Sequence, residues 1–297
     1  MINYLIPLTT DHVPMLISFL KDYPRESCDY SVCNLLTWGK IYGNQFCHYE
    51  GRLVIYNSKY SYVFFPMGEY LLPAELAQLM SAFQKIDPNV TLIQIPENYV
   101  QNTPDIHDHF ELSENRDWDD YVYSCEKMVE LRGKKLAKKK NLISQFIRLY
   151  PNYKVVPITP YYRDNLFRFT EKWQLEREIG GEYLKTEFQA IQNTLDMWDS
   201  LPVDGIIICL NRQMVAYSIF SPQTKCMATI HFEKYDPTKK GSGQLINWET
   251  ARYLHHEYKW LNREQDIGLP GLRQAKTSYL PDRMIKFITG KLKSDHV

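Results

Sequence analysis

Residues 205–281 constrain the fold of this chain more than any other stretch. They open with three apolar segments, 205–210, 214–220 and 226–232, each rich in β-branched and aromatic residues. Turn formers separate the segments, Asn211-Arg-Gln213 and then Ser221-Pro222, so three adjacent antiparallel strands are expected. Asp236-Pro-Thr-Lys-Lys-Gly-Ser-Gly243 breaks the pattern. Leu245, Trp248, Ala251, Arg252 and Leu254 follow at helical spacing, which predicts a helix beginning near Gly243. Residues 258–261 read as a short strand that runs into a polar cluster, Asn262-Arg-Glu-Gln-Asp-Ile-Gly268.

A glycine-rich turn feeding a helix leaves several backbone N–H groups without intrahelical partners, and the helix dipole adds positive potential there. Such an end suits a phosphate group. Lys239 and Lys240 precede Gly241, Ser242 and Gly243, so these five residues form a candidate phosphate-binding or cofactor-binding group. An ordinary loop with a flexible helix start is the alternative, because Gly-x-Gly alone is a weak signal.

The order of elements resembles the second half of a GNAT acyltransferase domain, in which the pyrophosphate of an acyl-CoA rests on such a turn. The GNAT pattern has Gln or Arg, two residues, Gly, one residue, then Gly or Ala. Thr238-Lys-Lys-Gly-Ser-Gly243 keeps both glycines and has Thr at the first place. A longer match is Asn262-Arg-Glu-Gln-Asp-Ile-Gly-Leu-Pro-Gly-Leu-Arg-Gln-Ala-Lys-Thr-Ser-Tyr-Leu-Pro281. It resembles the tail of proteins grouped with the C-terminal domain of phosphatidylglycerol lysyltransferase, the DUF2156 group. Those proteins are similar to the Fem peptidyltransferases, which carry two GNAT-like domains and take amino acids from aminoacyl-tRNA. The resemblance spans nearly the whole chain. It implies an α/β fold with mixed sheets, arranged as two GNAT-like acyl-CoA N-acyltransferase domains in tandem. It also implies acyl-CoA or aminoacyl-tRNA as donor, no tightly bound cofactor, and a small molecule, peptide or lipid headgroup as acceptor.

The chain has 297 residues, enough for two domains, and 44% of them are hydrophobic, enough for two cores. Lys and Arg number 35, as do Asp and Glu, so overall charge predicts no affinity for nucleic acid or membrane; only local asymmetry can. The six cysteines form no C-x-x-C pair and suit neither a zinc site nor a disulfide framework. Met1-Ile-Asn-Tyr-Leu-Ile-Pro7 lacks the features of a signal peptide and reads as a first strand. No apolar run approaches the roughly 20 residues that span a bilayer. A cytoplasmic protein with reduced thiols is expected.

In chain order, a strand at 4–8 precedes a helix capped by Thr10-Asp11 and started by Pro14. The polar segment Tyr23-Pro-Arg-Glu-Ser-Cys-Asp-Tyr30 and the short helix at 31–39 resemble a stretch of the Fem proteins; by composition alone the segment reads as a surface connection. Residues 46–56 and 61–65 are expected to form a hairpin around Asn57-Ser-Lys59, 73–86 a helix, 91–95 a buried strand and 118–123 a further strand. His107-Asp-His109 invites a metal reading, but no other His or Cys is spaced to complete a site, so exposed histidines at a helix end are expected. Residues 153–158, 161–177 and 182–198 read as a strand and two helices joined at Gly180-Gly181. The domain boundary is placed near 151, giving domains 1–150 and 151–297.

Residues 125–150 carry eight basic side chains and only two acidic ones. Apolar residues sit at both ends, and Gly133 marks a break. Lys134/Lys138 and Lys135/Lys139 are like-charge pairs at helical i,i+4 spacing, each mildly destabilising. Arg132, Lys135 and Lys139 fall on the apolar face, so the middle of the stretch cannot be buried like its ends. Lys134, Lys135, Lys138 and Lys139 are therefore candidate contacts to tRNA or to another anionic substrate, against the reading of a solvated helix face. The Fem proteins carry a similar basic helix late in their first domain.

Acyl transfer needs a held carbonyl donor, an acceptor relieved of its proton and stabilisation of the developing oxyanion. No Gly-x-Ser-x-Gly elbow or Cys/His nucleophile spacing is present, which argues against a covalent hydrolase. Glu264 or Asp266 can serve as base and Tyr279 as proton donor to a leaving group. Asn262, Arg263, Arg273 and Lys276 can hold substrate, the cations through carboxylate or phosphate. An ion-pair network that fixes the tail is the alternative. Two functions stand at this point: a transferase moving an acyl or aminoacyl group to an amine or hydroxyl, and a catalytically inactive protein of the same fold that binds an anionic ligand.

Overall fold

The structure is a computed structural model, and it describes residues 4–175 and 181–293. The chain divides into two compact units. The first comprises Met1–Asp120, Gln265–Gly268 and Ile285–Val297, and the second Tyr121–Glu264 and Leu269–Met284.

The first unit is built on a seven-stranded mixed sheet. Its strands are β1 (Ile6–Pro7), β2 (Asn44–Tyr49), β3 (Arg52–Asn57), β4 (Tyr62–Phe64), β5 (Thr91–Ile93), β6 (Phe110–Glu114) and, from the far end of the chain, β14 (Ile288–Leu292). Their order is β1-β2-β3-β4-β5-β14-β6, with β4 and β5 parallel. Helices α1 (Val13–Asp22), α2 (Val32–Tyr42), α3 (Pro73–Gln84), α4 (Glu97–Asn102) and α5 (Ile106–His109) belong to this unit. Local chemistry sets their ends. Pro73 opens α3, and the Leu72 N–H donates back to Glu75 Oε2 at 2.9 Å. Ser31 Oγ accepts from the Asn34 N–H at 3.0 Å at the start of α2, which stops at Gly43 in the left-handed region. The core packs Leu76, Leu79, Met80 and Phe83 of α3 onto Val54, Val63 and Leu92 of the sheet.

The expected hairpin around Asn57-Ser-Lys59 forms, with β3 and β4 antiparallel through Tyr56↔Val63 and Asn57↔Tyr62, but its first arm differs from the sequence expectation. Residues 46–56 are not one strand: β2 and β3 pair in register from Asn44↔Asn57 to Tyr49↔Arg52, and the turn is Glu50-Gly51 with φ of 48° and 77°. Two left-handed residues match the twist of paired strands, so Gly51 is the signal that mattered. The polar segment at 23–30 is also not a surface connection. Cys28 and Tyr30 are fully enclosed, the Cys28 N–H donates to Asp120 Oδ2 at 2.7 Å, and the Tyr30 hydroxyl donates to the Phe65 carbonyl at 2.7 Å. His107 is exposed on the short α5.

The second unit holds another seven-stranded mixed sheet, of order β13-β7-β12-β11-β10-β9-β8. The strands are β7 (Asp120–Ser124), β8 (Lys154–Pro157), β9 (Asp204–Leu210), β10 (Gln213–Thr224), β11 (Met227–Tyr235), β12 (Trp260–Asn262) and β13 (Arg283–Ile285). The helices are α6 (Cys125–Glu130), α7 (Ala137–Leu149), α8 (Arg163–Leu175), α9 (Gly181–Asp196), α10 (Ser242–Leu254) and α11 (Pro270–Thr277). As expected, β9, β10 and β11 are neighbouring antiparallel strands and α10 follows the glycine turn. Gly181 begins α9, whereas Arg177 and Gly180 of the expected helix pair lie outside the described residues. Leu245, Ile246, Ala251 and Leu254 of α10 pack with Ile143 and Phe146 of α7 and with Cys125 and Met128 of α6.

The units do not divide near residue 151. The break falls at Asp120/Tyr121, because β7 pairs with β12 (Leu261↔Tyr123) and the basic helix α7 buries its apolar stripe in the second core. The last strand was also not foreseen: β14 returns to the first unit, where Gly290 pairs with both Leu92 and Leu112. Among the described residues no helix is long and apolar enough to cross a membrane.

Candidate functional site

In the second unit β11 and β12 run parallel for only three pairs, Met227↔Trp260, Ala228↔Leu261 and Thr229↔Asn262. Beyond Thr229, β11 continues to Tyr235, while the chain after Asn262 stays with β7: Arg263 N–H donates to the Tyr121 carbonyl at 2.9 Å and Tyr121 N–H to the Glu264 carbonyl at 3.2 Å. Two local features drive the strands apart. The β10–β11 register passes from Ile219↔Phe232 to Phe220↔Ile230, so His231 is the extra residue of a bulge. Glu264 takes φ of 56°, a left-handed conformation that a side chain disfavours, and its N–H is fixed by Asn262 Oδ1 at 2.8 Å.

Side chains span the opening that the backbones leave. Arg263 Nη2 lies 2.5 Å from Glu233 Oε2, whose other oxygen accepts from Asn247 Nδ2 of α10 at 3.2 Å. His231 Nδ1 lies 2.9 Å from Glu264 Oε1, and its Nε2 lies 2.8 Å from Ser221 Oγ. The Ser221 hydroxyl is almost fully enclosed, so this Ser–His–Glu array offers no exposed nucleophile; it holds Glu264 in place.

Around Arg263 stands a basic and aromatic cluster. Its guanidinium carbon lies 5.3 Å from the Tyr279 ring centroid and 5.7 Å from that of Tyr123. Lys139 Nζ lies 3.9 Å from the centroid of the same Tyr279 ring and donates to Ser278 Oγ at 2.8 Å. Lys276 Nζ donates to the Arg263 carbonyl, and the Tyr123 hydroxyl donates to the Lys276 carbonyl at 2.8 Å. Burial, then the positive charges of Arg263 and Lys138, lower the Lys139 pKa to about 8. Burial raises the Tyr279 pKa, so its phenol stays protonated and can donate a hydrogen bond. Burial opposes the charge of Arg263, but Glu233 outweighs it and the pKa is raised. Arg263 Nη1 is buried and has no hydrogen-bond partner among the described residues.

The other residues picked out in the sequence are distributed differently. Lys134, Lys135 and Lys138 are exposed, and of the four lysines only Lys139 turns into the cluster. Asn262 is fully buried and fixes the Glu264 turn. Arg273 sits one turn before Lys276 on α11, half-buried. Asp266 does not join Glu264. It belongs to the first unit, is fully buried, and binds Arg116 Nη1 at 3.6 Å and the Gly268 N–H at 3.0 Å, as the ion-pair reading of the tail anticipates. Gly241 and Gly243 are buried within protein. A Cβ on Gly241 would stand 2.6 Å from the Leu142 carbonyl oxygen of α7, and one on Gly243 would stand 2.8 Å from the Tyr235 ring. Close packing thus requires both glycines. Ser242 Oγ donates to the Asp236 carbonyl at 2.8 Å, Lys239 is half-buried and Lys240 is exposed. Sequence reasoning missed Glu233, His231, Ser221 and Tyr123; the available signal was His231-Phe-Glu-Lys234, three polar residues within four places of a β-strand.

Residues 20–289 match the family described as phosphatidylglycerol lysyltransferase, C-terminal. The chain belongs to this family. The family's fold is shared by solved structures. A conserved protein of unknown function from Bacteroides thetaiotaomicron is 28% identical, with 99% of this chain and 100% of that chain covered and a TM-score of 0.91. L-PGS from Bacillus licheniformis is 14% identical, with 93% and 90% covered and a TM-score of 0.64. FemX is 8% identical, with 98% of each chain covered and a TM-score of 0.63. These last two likenesses concern the fold alone, mixed α/β with two seven-stranded sheets. Among curated sequences, an uncharacterised protein of Mycoplasmoides gallisepticum is 26% identical over 170 residues, 56% of this chain; the chain spans about half the length of that relative, 54%. This member of the lysyltransferase C-terminal family thus carries, at the split between β11 and β12, a buried cationic cluster next to a fixed carboxylate.

Proposed function

We propose that this chain is an aminoacyltransferase that moves an aminoacyl group from a phosphate-containing donor, charged tRNA, to an amine or hydroxyl of a lipid headgroup or peptide. The family supports the reaction class. The observation that carries the reading is the opening beyond Thr229↔Asn262, where Arg263, Lys139 and Tyr279 converge. In this reading Arg263 and Lys139 hold the donor's anionic end, Tyr279 donates a hydrogen bond to the departing oxygen, and Glu264 accepts the acceptor's proton. The exposed Lys134, Lys135 and Lys138 give a polyanion a surface to rest on. Acyl-CoA is the second donor considered; the buried glycines at 241 and 243 favour tRNA over it, since their packing leaves less need for a pyrophosphate there.

The test is a transfer assay with tRNA charged with labelled amino acid, and in parallel with acetyl-CoA, against phosphatidylglycerol and amine-bearing peptides. Acceptor-dependent loss of label from tRNA is expected. Label that moves only from acetyl-CoA would replace the donor. Binding of charged tRNA without any transfer would make the chain a binding protein.

A further inference from the structure

We propose that Arg263 Nη1 and Lys139 Nζ, both held against the ring of Tyr279, form a site for one oxyanion, a phosphoryl or carboxylate group of the ligand. The inference rests on the transferase reading only for what delivers the anion; the site itself rests on geometry.

An arginine has five N–H donors in a fixed fork, and this one uses Nη2 on Glu233 while Nη1 stays buried without a partner among the described residues. A buried donor left unpaired is costly, and a charged one more so. Lys139, half-buried, brings a second positive charge to the same ring. Its ammonium donates to the neutral Ser278 Oγ, and among the described residues no carboxylate lies within ion-pair distance of it. The Tyr279 ring face attracts both cations, at 3.9 Å and 5.3 Å, but a ring face does not cancel charge. Glu233, the carboxylate that binds Arg263, is shared with Asn247. Two cations gathered on one ring with one spoken-for carboxylate leave a positive excess in a desolvated place. A single oxyanion fits this demand: two acceptor oxygens, one for the Nη1 edge and one for the ammonium.

Binding is coupled to a proton. The groups that face Lys139 are Arg263 after β12, Lys138 on its own helix, and Ser278 and Tyr279 at the end of α11, with Glu233 of β11 beyond Arg263. Burial and the two cations hold the Lys139 pKa near 8. An anion opposes that effect, so above pH 8 the site takes up a proton with its ligand.

The experiment is calorimetric titration of the whole chain with inorganic phosphate and, separately, with acetate. It is run at pH 8.5 and constant ionic strength, in two buffers of different ionisation enthalpy. Saturable binding with uptake of part of a proton per anion is expected. Phosphate without acetate assigns a phosphoryl group, and acetate without phosphate a carboxylate. Lys139→Met should weaken binding about tenfold or more and abolish the proton uptake, the loss of one charge-assisted hydrogen bond. Lys225→Met, at an exposed position between β10 and β11, should change neither. Arg263→Gln should weaken binding as well; Lys139→Met keeps the test open should that variant fail to fold. Absence of binding by both ions overturns the inference, as does binding that Lys139→Met leaves unchanged, which would mark an ion held by surface lysines. Because no turnover is read, ions that bind without any transfer reaction would retain the site and remove the transferase, and transfer without ion binding would do the reverse.

Discussion

His231 joins Glu264 across the point where β11 and β12 stop pairing, with Nδ1 2.9 Å from Oε1. In the parallel register that ends at Thr229↔Asn262, these are the residues two places further along each strand. A side-chain bridge has taken the place of the backbone pair. It keeps the carboxylate oriented while the split remains open.

His231→Asn should therefore lower transfer by on the order of 10² with little change in KM, because it removes a contact that orients the Glu264 carboxylate, and Glu264→Gln should lower it at least as far. Steady-state kinetics and melting curves, taken together, check this. Reduced stability at unchanged specific activity would reassign the bridge to fold maintenance.

Lys139 gives a pH signature. Its folded pKa of about 8 lies below the ordinary lysine value of 10.5, so between these limits the unfolded chain binds more protons than the folded one. The strain of holding this charge is present in full below pH 8 and is relieved as pH rises toward 10.5. Lys139→Met should melt at a higher temperature than wild type at pH 7, with the gap closing as pH rises through 8 to 10. Comparison between the two proteins cancels the tyrosines that titrate in the upper part of that range. A gap that stays constant with pH would contradict the assignment.

Gly241→Ala should cost about 1–3 kcal/mol of stability. The position has φ of 91°, and a Cβ there would meet the Leu142 carbonyl oxygen at 2.6 Å. Denaturant titration measures it. A neutral substitution would mean that α7 does not pack on this turn.

The exposed lysines report on the donor. If charged tRNA lies along α7, replacing Lys134 and Lys138 by Gln should flatten the slope of log affinity against log salt by about 1 to 2 units. An unchanged slope would take this surface out of donor binding.

Much of the second unit could be read in the sequence, because strands β9 to β11 and helix α10 are defined by local alternation, turn residues and helical spacing. The tail 262–281 likewise carried the family in its own letters. The site itself was only half legible. Arg263, Lys139, Lys276, Tyr279 and Glu264 were named, but nothing local separates Lys139 from Lys138: one turns into the cluster and the other to solvent, through the pitch of a helix whose anchor points are Ile143 and Phe146. Glu264 and Asp266 stand two residues apart and serve different units, a division set by the left-handed turns at Glu264 and Ile267, neither a glycine. The return of β14 to the first sheet is a long-range pairing with no local signature. The glycines at 241 and 243 were visible, but their reason, contact with α7 and Tyr235, requires the packed structure.

The central claim is that the split between β11 and β12 transfers an aminoacyl group with the donor's anion held by Arg263 and Lys139. The most direct measurement follows labelled amino acid from charged tRNA to phosphatidylglycerol or an amine-bearing peptide, with wild type, Lys139→Met and Lys225→Met compared side by side. The account predicts acceptor-dependent transfer by wild type and by Lys225→Met, an exposed position between β10 and β11, and a loss of about tenfold or more in Lys139→Met. Charged tRNA left intact by wild type with every acceptor, or equal rates for all three proteins, would contradict it.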